Sequence, residues 1–212
     1  MRPENKPDGQ QRSFIEEARR RQIIASTVEV ISEVGYSNAS LARIAEHAGI
    51  SKGVISYHFD GKDELMSQVV IQLFVSGAEF MSPFVSAAIA DGYRAVLHAY
   101  LSSNLQFIDD NKSYVAAVGD IVVNLRGPDG SLRFDTPDGD REMIAPLVSA
   151  LAEGQRAGEF GDFDPTVLAR LIRDSIDGIA NRAVREPDFD VRHYRTHLIR
   201  MYDAVTSKDD DR

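Results

Sequence analysis

Between residues 52 and 62 the sequence sets Lys52, Ser56, Tyr57, His58 and Lys62 around a glycine, Gly53. Ammonium groups can pair with phosphate oxygens, and hydroxyl and imidazole tips can reach phosphates or base edges. Val54 offers an apolar surface of the kind a thymine methyl packs against. Gly53 leaves room where a backbone must come close. The chemistry these residues share is contact with a duplex polyanion. The same residue types also occur on a solvated helix corner, and a pattern this short arises often by chance.

The surrounding elements must hold those side chains outward. Leu41, Ile44, Ala45 and Ala48 make one apolar face, Ile50 fills a corner, and Ile55 and Phe59 make a second face. This spacing predicts one short helix over 40–48 and another ending near Phe59, joined through Gly49, Ile50 and Ser51 in a helix-turn-helix layout. Upstream, Ser13 and Glu16 have the form of a capping box at a helix start. Ile24, Val28, Ile31 and Val34 continue along one face, and Gly35 suits the stop. Asp60 and Gly61 break the pattern before a longer helix from Lys62, which Pro83 is expected to kink or end. More helices are expected over 93–107, 114–125, 143–155, 164–184 and 191–205, with Pro165 in a first turn. The Gly-, Pro- and Asp-rich stretch 126–141 reads as a loop able to act as a lid. The expected class is all-α. The divisions are a flexible arm at 1–12, a DNA-binding unit at 13–61, a larger helical domain at 62–206 and a tail at 207–212.

Charge is distributed unevenly over the 212 residues. The net charge is −9, yet residues 1–62 carry nine Lys and Arg against eight Asp and Glu, so the acidity lies downstream. The first third can therefore approach a polyanion. Cysteine is absent, which removes disulfides, thiolate metal sites and a cysteine nucleophile, and fits a reducing cytoplasm. The first residues form no apolar leader, and no run near the roughly 20 apolar residues of a membrane span stands out, so no membrane partner is expected. No phosphate-binding glycine loop, nucleophile elbow or ligand cluster is visible, so no catalytic residue and no cofactor are assigned. His193 and His197 stand four apart, a spacing that can hold a metal, but surface or interface positions explain them equally, and no metal site is assigned. His98 reads as structural.

Residues 13–65 resemble the DNA-binding domain of the TetR family of transcriptional regulators. The resemblance is carried by "SLARIAEHAGISKGVISYHFDGKDEL", preceded by "VISEVGYSNAS". Its tightest part runs from Ala45 through Gly49, Ser51, Gly53, Tyr57-His58-Phe59 and Lys62 to Leu65. It implies a homodimer whose two recognition helices enter successive major grooves of a palindromic, double-stranded operator. It also implies repression relieved by a small apolar effector. The DNA-binding set it implies is Ser40, Arg43, Ser51, Lys52, Gly53, Val54, Ser56, Tyr57, His58 and Lys62. Ser40 matches a phosphate contact, and Tyr57, His58 and Lys62 match positions that hold the backbone. Ser56 departs from the family, which often has an aromatic there. Arg19, Arg20 and Arg21 are either a solvated face or further phosphate contacts.

Downstream, Leu168, Ile172, Ile176, Ile179 and Ala183 form a stripe that Val167 and Leu171 widen. Val191, Tyr194, Leu198, Met201 and Val205 form another. Part of each must serve an internal core, and the resemblance implies that 164–184 and 191–205 also pair with their copies, with Gly178 and Ala180 permitting close approach. Leu97, Tyr100, Asn104 and Phe107 share a face, and an asparagine on an apolar face calls for a partner. With Tyr114, Val118 and Ile121 they form the expected effector pocket. The alternative is an effector-independent DNA-binding protein with a solidly packed helical domain.

Overall fold

The computed structural model describes residues 9–134 and 137–208, with the side chains of 9–13, 137, 138 and 140 left out. Nine α-helices lie among them: α1 (Gly9–Asn38), α2 (Leu41–His47), α3 (Lys52–His58), α4 (Lys62–Ala88), α5 (Tyr93–Asp110), α6 (Lys112–Asn124), α7 (Pro137–Arg156), α8 (Pro165–Arg185) and α9 (Val191–Thr206), with a 3-10 turn at Ile89–Asp91. The only pairing of extended backbone among the described residues is an isolated bridge between Arg126 and Leu132. The fold is all-α, an N-terminal helix-turn-helix followed by a larger set of helices.

Two apolar cores organise the chain. In the first, Ile23, Ile24, Val28 and Ile31 of α1 meet Ile44, Ala45 and Ile55 of α2 and α3. Leu65, Met66, Val69 and Leu73 of α4, Ala117, Val118 and Ile121 of α6, and Leu125 just after it complete the core. In the second, α5, α7, α8 and α9 bury Leu97, Leu101, Leu105, Ile144, Leu151, Ile172, Ile176 and Leu198. Burial of such side chains is worth roughly 1.5–3 kcal/mol each, which is what assembles short helices that would not persist alone. Helix α2 packs on α1 and α3, and α1 in turn packs on α4 and α6, all within this one core.

Several local expectations change. Helix α1 starts at Gly9, so Ser13 lies a turn inside it rather than at its cap, because Gln10, Gln11 and Arg12 are good helix formers. Those residues also leave the expected arm, of which 1–8 lie outside the described residues. Gly35 does turn the chain, at φ 77° and ψ 161°. Pro83 neither ends α4 nor breaks it. It deletes one bond, to the Glu79 carbonyl, on an exposed side where water can take its place. By length and composition Lys62–Asp91 would reach across a membrane, a stretch hidden in the sequence by interspersed Gln and Ser. Its first turns are instead wedged between α1 and α6. The loop after α6 is not an open lid. Arg133 N–H donates to Leu125 O at 3.0 Å, Gly127 N–H donates to Ser131 O at 2.9 Å, and Phe134 packs on the first core.

Candidate nucleic-acid interface and the helical site behind it

Ser40 and Ser51 stand at the N-caps of α2 and α3 with extended backbone. Ser40 Oγ accepts from Arg43 N at 3.3 Å, and the Arg43 guanidinium donates to Asn38 O at 3.3 Å. Gly49, at φ 66°, makes the turn between the two helices, and Ile50 N donates back to Ala45 O at 3.0 Å. The close approach at Ala45 explains its small side chain, which is 4% exposed. Ile55 and Phe59 then face inward at 0% and 2% exposure. Seven residues allow only two turns, so this inner pair forces the rest of α3 outward.

The outward set is narrower than the sequence suggested. Ser51, Lys52, Gly53, Ser56 and Tyr57 are exposed, Tyr57 at 74%. Val54 and His58 are half-buried. The His58 ring lies edge-on to Tyr57, with centroids 5.0 Å apart, so its imidazole buttresses the tyrosine. Tyr57 OH comes within 3.4 Å of Glu16 Oε1. A Cβ built on Gly53 would meet only Ser51 Oγ, at 3.6 Å, an ordinary contact. Its φ is not positive, so nothing inside the chain calls for glycine there. Glycine within a helix costs about 1 kcal/mol relative to alanine.

Other cations are spent internally. Arg20 donates to His58 O, lies 4.4 Å over the Phe59 ring and faces Glu64 at 3.9 Å. It clamps α1 to the end of α3. Arg19 bonds Gln22, and Arg21 faces Glu17. Lys62 Nζ donates to Tyr36 O at 2.7 Å and sits 4.5 Å over the Tyr36 ring. Burial lowers its pKa, with Asp63 opposing. The ammonium is thereby tied to the corner after α1, where sequence reasoning had offered it to phosphate. Tyr36 N–H in turn donates to Asp120 Oδ2 on α6, at 2.7 Å. Neither the Arg20–His58 clamp nor the Lys62–Tyr36–Asp120 chain was visible in local pattern, because the partners lie 26 to 84 residues apart.

The expected pocket residues do not converge. Leu97 is 2% exposed in the second core, and Tyr100 packs beside it. Phe107, Tyr114, Val118 and Ile121 belong to the first core. Tyr114 OH donates to Val69 O at 3.1 Å, and burial pushes its pKa up to about 12. Burial also raises Tyr100, with Arg173 opposing. Phe107 closes the space over Gly77, whose Cβ would lie 3.4 Å from that ring, and stacks with Phe80 at 5.7 Å. Asn104 is buried on α5, at 7% exposure. A separate cleft of about 240 Å³ lies between α5 and α9, lined by Asp109, Asp110, Arg192 and Arg195 among others. His98 binds Asp203 across the α5–α9 contact at 2.6 Å, a structural pairing.

The α8 stripe also divides. Leu168, Ile172, Ile176, Ile179 and Ala180 face the chain's own core, while Val167 and Leu171 are 54% and 52% exposed. On α9, Leu198 is buried, but Tyr194, Met201 and Val205 are exposed. Gly178 is exposed, and a Cβ there would meet nothing within 4 Å. His193 and His197 lie on exposed α9 surface with ring centroids 4.5 Å apart, and no cluster of three metal-ligand side chains occurs among the described residues.

Residues 23–69 match the family model for bacterial regulatory proteins of the tetR family. The chain is similar to the HTH-type transcriptional regulator BetI 2 of Chromohalobacter salexigens, with 37% identity over 90 residues, 42% of this chain and 44% of that protein. The match spans less than half the length of that relative. Among solved structures, the fold is similar to the fatty acid degradation regulator FadR from Bacillus halodurans, with TM-score 0.71 and 18% identity over 86% of this chain and 93% of that one. It is also similar to FadR from Bacillus subtilis in complex with stearoyl-CoA, with TM-score 0.63 and 22% identity over 85% and 96% of the two chains.

Proposed function

We propose that this tetR-family chain is a transcriptional regulator, acting as a repressor, that binds a palindromic DNA operator as a homodimer. In this reading α3 enters the major groove. Ser51, Lys52, Gly53, Ser56 and Tyr57 meet DNA directly, Ser40 and Arg43 approach phosphate from α2, and Val54 and His58 support the contact. The observation that carries it is Gly53. The fold leaves space for a side chain at that position, and a glycine there, beside an exposed lysine and tyrosine, suits the close approach of a duplex backbone. The exposed Val167, Leu171, Met201 and Val205 of α8 and α9 form the face for the second copy. Half-sites would then lie about 34–36 Å apart, or a multiple of that.

The test is selection of bound duplexes from a random-sequence pool with the full chain, followed by titration of the enriched duplex over a range of salt. Enrichment of a palindrome is the expected result. An unenriched pool would remove the function.

Release by a small apolar effector belongs to the same proposal, with the space between the two cores around Tyr100, Asn104 and Phe107 as its place. The stearoyl-CoA complex of the similar Bacillus subtilis regulator supports a ligand with a long apolar portion. A second reading, DNA binding without an effector, is favoured by one observation: the expected pocket residues are divided between packed cores. Operator release on adding an acyl-CoA series separates the two.

A further inference from the structure

The corner between α1 and α2 is held from two sides. Lys62 at the start of α4 takes the Tyr36 carbonyl, and Asp120 on α6 takes the Tyr36 amide, each at 2.7 Å. The other Asp120 oxygen accepts from Asn124 Nδ2 at 2.8 Å, one turn along α6, which fixes the carboxylate rotamer. Gly35, at φ 77°, turns the backbone beside that carboxylate, and a Cβ on it would stand 3.6 Å from Asp120 Oδ2. Around this corner, α1 packs on α6 more extensively than on α4. That packing includes Ala117, Val118 and Ile121 of α6 in the core they share with α1, and Ser32 Oγ also donates to Ser113 O at 3.4 Å. Interdigitated side chains set the approximate register of two packed helices and leave its last adjustment to directional contacts. A short hydrogen bond to a carboxylate is directional and makes that adjustment.

We propose that Asp120 is a positioning residue that sets the orientation of the α2–α3 unit on the rest of the protein. The proposal rests on the regulator reading for its consequence. Helix α6 also packs on α8, whose outer face carries the surface assigned above to the second copy. A fixed α6–α1 register therefore fixes the separation of two recognition helices, and a loosened one lets it vary.

The chain has no native cysteine, so paired spin labels can be placed at Glu46→Cys on α2 and Ser149→Cys on α7, both exposed positions. Labelled protein diluted into unlabelled protein reports the distance within one chain, without DNA. Asp120→Ala is expected to broaden that distribution, Asp120→Glu to shift it, and Asp120→Asn, which keeps an acceptor oxygen, to stay near the parent. On the duplex enriched by the selection above, the parent should bind about tenfold more weakly when the half-site spacing changes by one base pair, since bivalent engagement needs matching geometry. Asp120→Ala should lose most of that discrimination. If Asp120→Ala does not fold, Asp120→Glu decides the matter by the shift in distance. Unchanged distances in the folded variants would overturn the positioning role. A pool that yields no duplex would overturn the regulator reading instead and leave the distances to decide Asp120.

Discussion

Gly53 on α3 and Gly178 on α8 are exposed helical glycines with room for a side chain, yet their neighbourhoods differ. Around Gly53 stand Ser51, Lys52, Ser56 and the 74% exposed Tyr57. On the helix that carries Gly178 and on α9, the exposed side chains include Val167, Leu171, Met201 and Val205. The first surface keeps its charge and hydrogen-bonding tips in water until a polar partner replaces that water. The second presents apolar area that gains only when another apolar surface covers it. One chain thus exposes a polar face on α3 and an apolar face on α8 and α9, which the proposal assigns to a duplex and to a second copy.

The largest effect is expected at the apolar face. Leu171→Asp combined with Met201→Asp should leave a folded monomer by sedimentation. Operator affinity should fall by about 10²–10⁴, the contribution that linked binding makes. Ile176→Asp on the inner side of the same helix should behave differently. That side chain is 0% exposed, so a carboxylate there should lower the melting temperature sharply or prevent folding. If the double variant remains dimeric, the two faces are not divided as described.

At the polar face, Tyr57→Ala should weaken operator binding by about 1–3 kcal/mol with an unchanged circular dichroism spectrum. Fluorescence anisotropy on the selected duplex measures it, and parental affinity would remove Tyr57 from the interface. Gly53→Ala sharpens the comparison, because its two consequences have opposite signs. Thermal stability should rise by about 0.4–1 kcal/mol, as the unfolded chain loses freedom. Operator affinity should fall, because the added methyl stands where the duplex approaches. A stabilised variant that binds as before would show that the glycine serves no partner.

The helix-turn-helix was legible because its determinants are local. The face from Leu41 to Ala48, the turn at Gly49 and the inward Ile55 and Phe59 are all set within twenty residues, as the helical period and turn chemistry require. The stripe on α8 was legible as apolar and as shared between an inner core and an outer face, but not as to which residue serves which. Val167 and Leu168 are adjacent in sequence, yet one is 54% exposed and the other 5%. Periodicity names the residues near a face and does not say which neighbour covers them. The division of the expected pocket residues between two cores was hidden for a related reason. Tyr100 and Phe107 share one side of α5 but are drawn into different cores by α8 and α4, partners whose arrangement no local pattern records. Lys62 was readable as a cation, and its engagement with Tyr36 was not.

The smallest expected effect is alkaline and confined to the helical region. Tyr114 has its pKa raised from 10.0 to about 12 by burial. The neutral phenol is the favoured form in the folded chain, so its contribution is fully present below pH 10 and is lost as the pH rises toward 12. Tyr114→Phe should reduce the loss of stability across that window, at the expense of the bond to Val69 O. Absorbance of the phenolate and thermal melts at stepped pH would follow it. An ordinary phenol titration would place Tyr114 in water and open the space between the cores.

The core that joins α1, α2, α3, the start of α4 and α6 bears on where this chain could be cut and recombined. A chimaera that cuts after Gly61 and grafts the first three helices onto another protein would separate Ile23, Ile24 and Ile31 from the α4 and α6 members of their core. Residues 117–125, though remote in the gene, share the core in which α1 holds the helix-turn-helix. A working exchange would carry α6 with the first three helices, so the transferable unit is discontinuous in sequence.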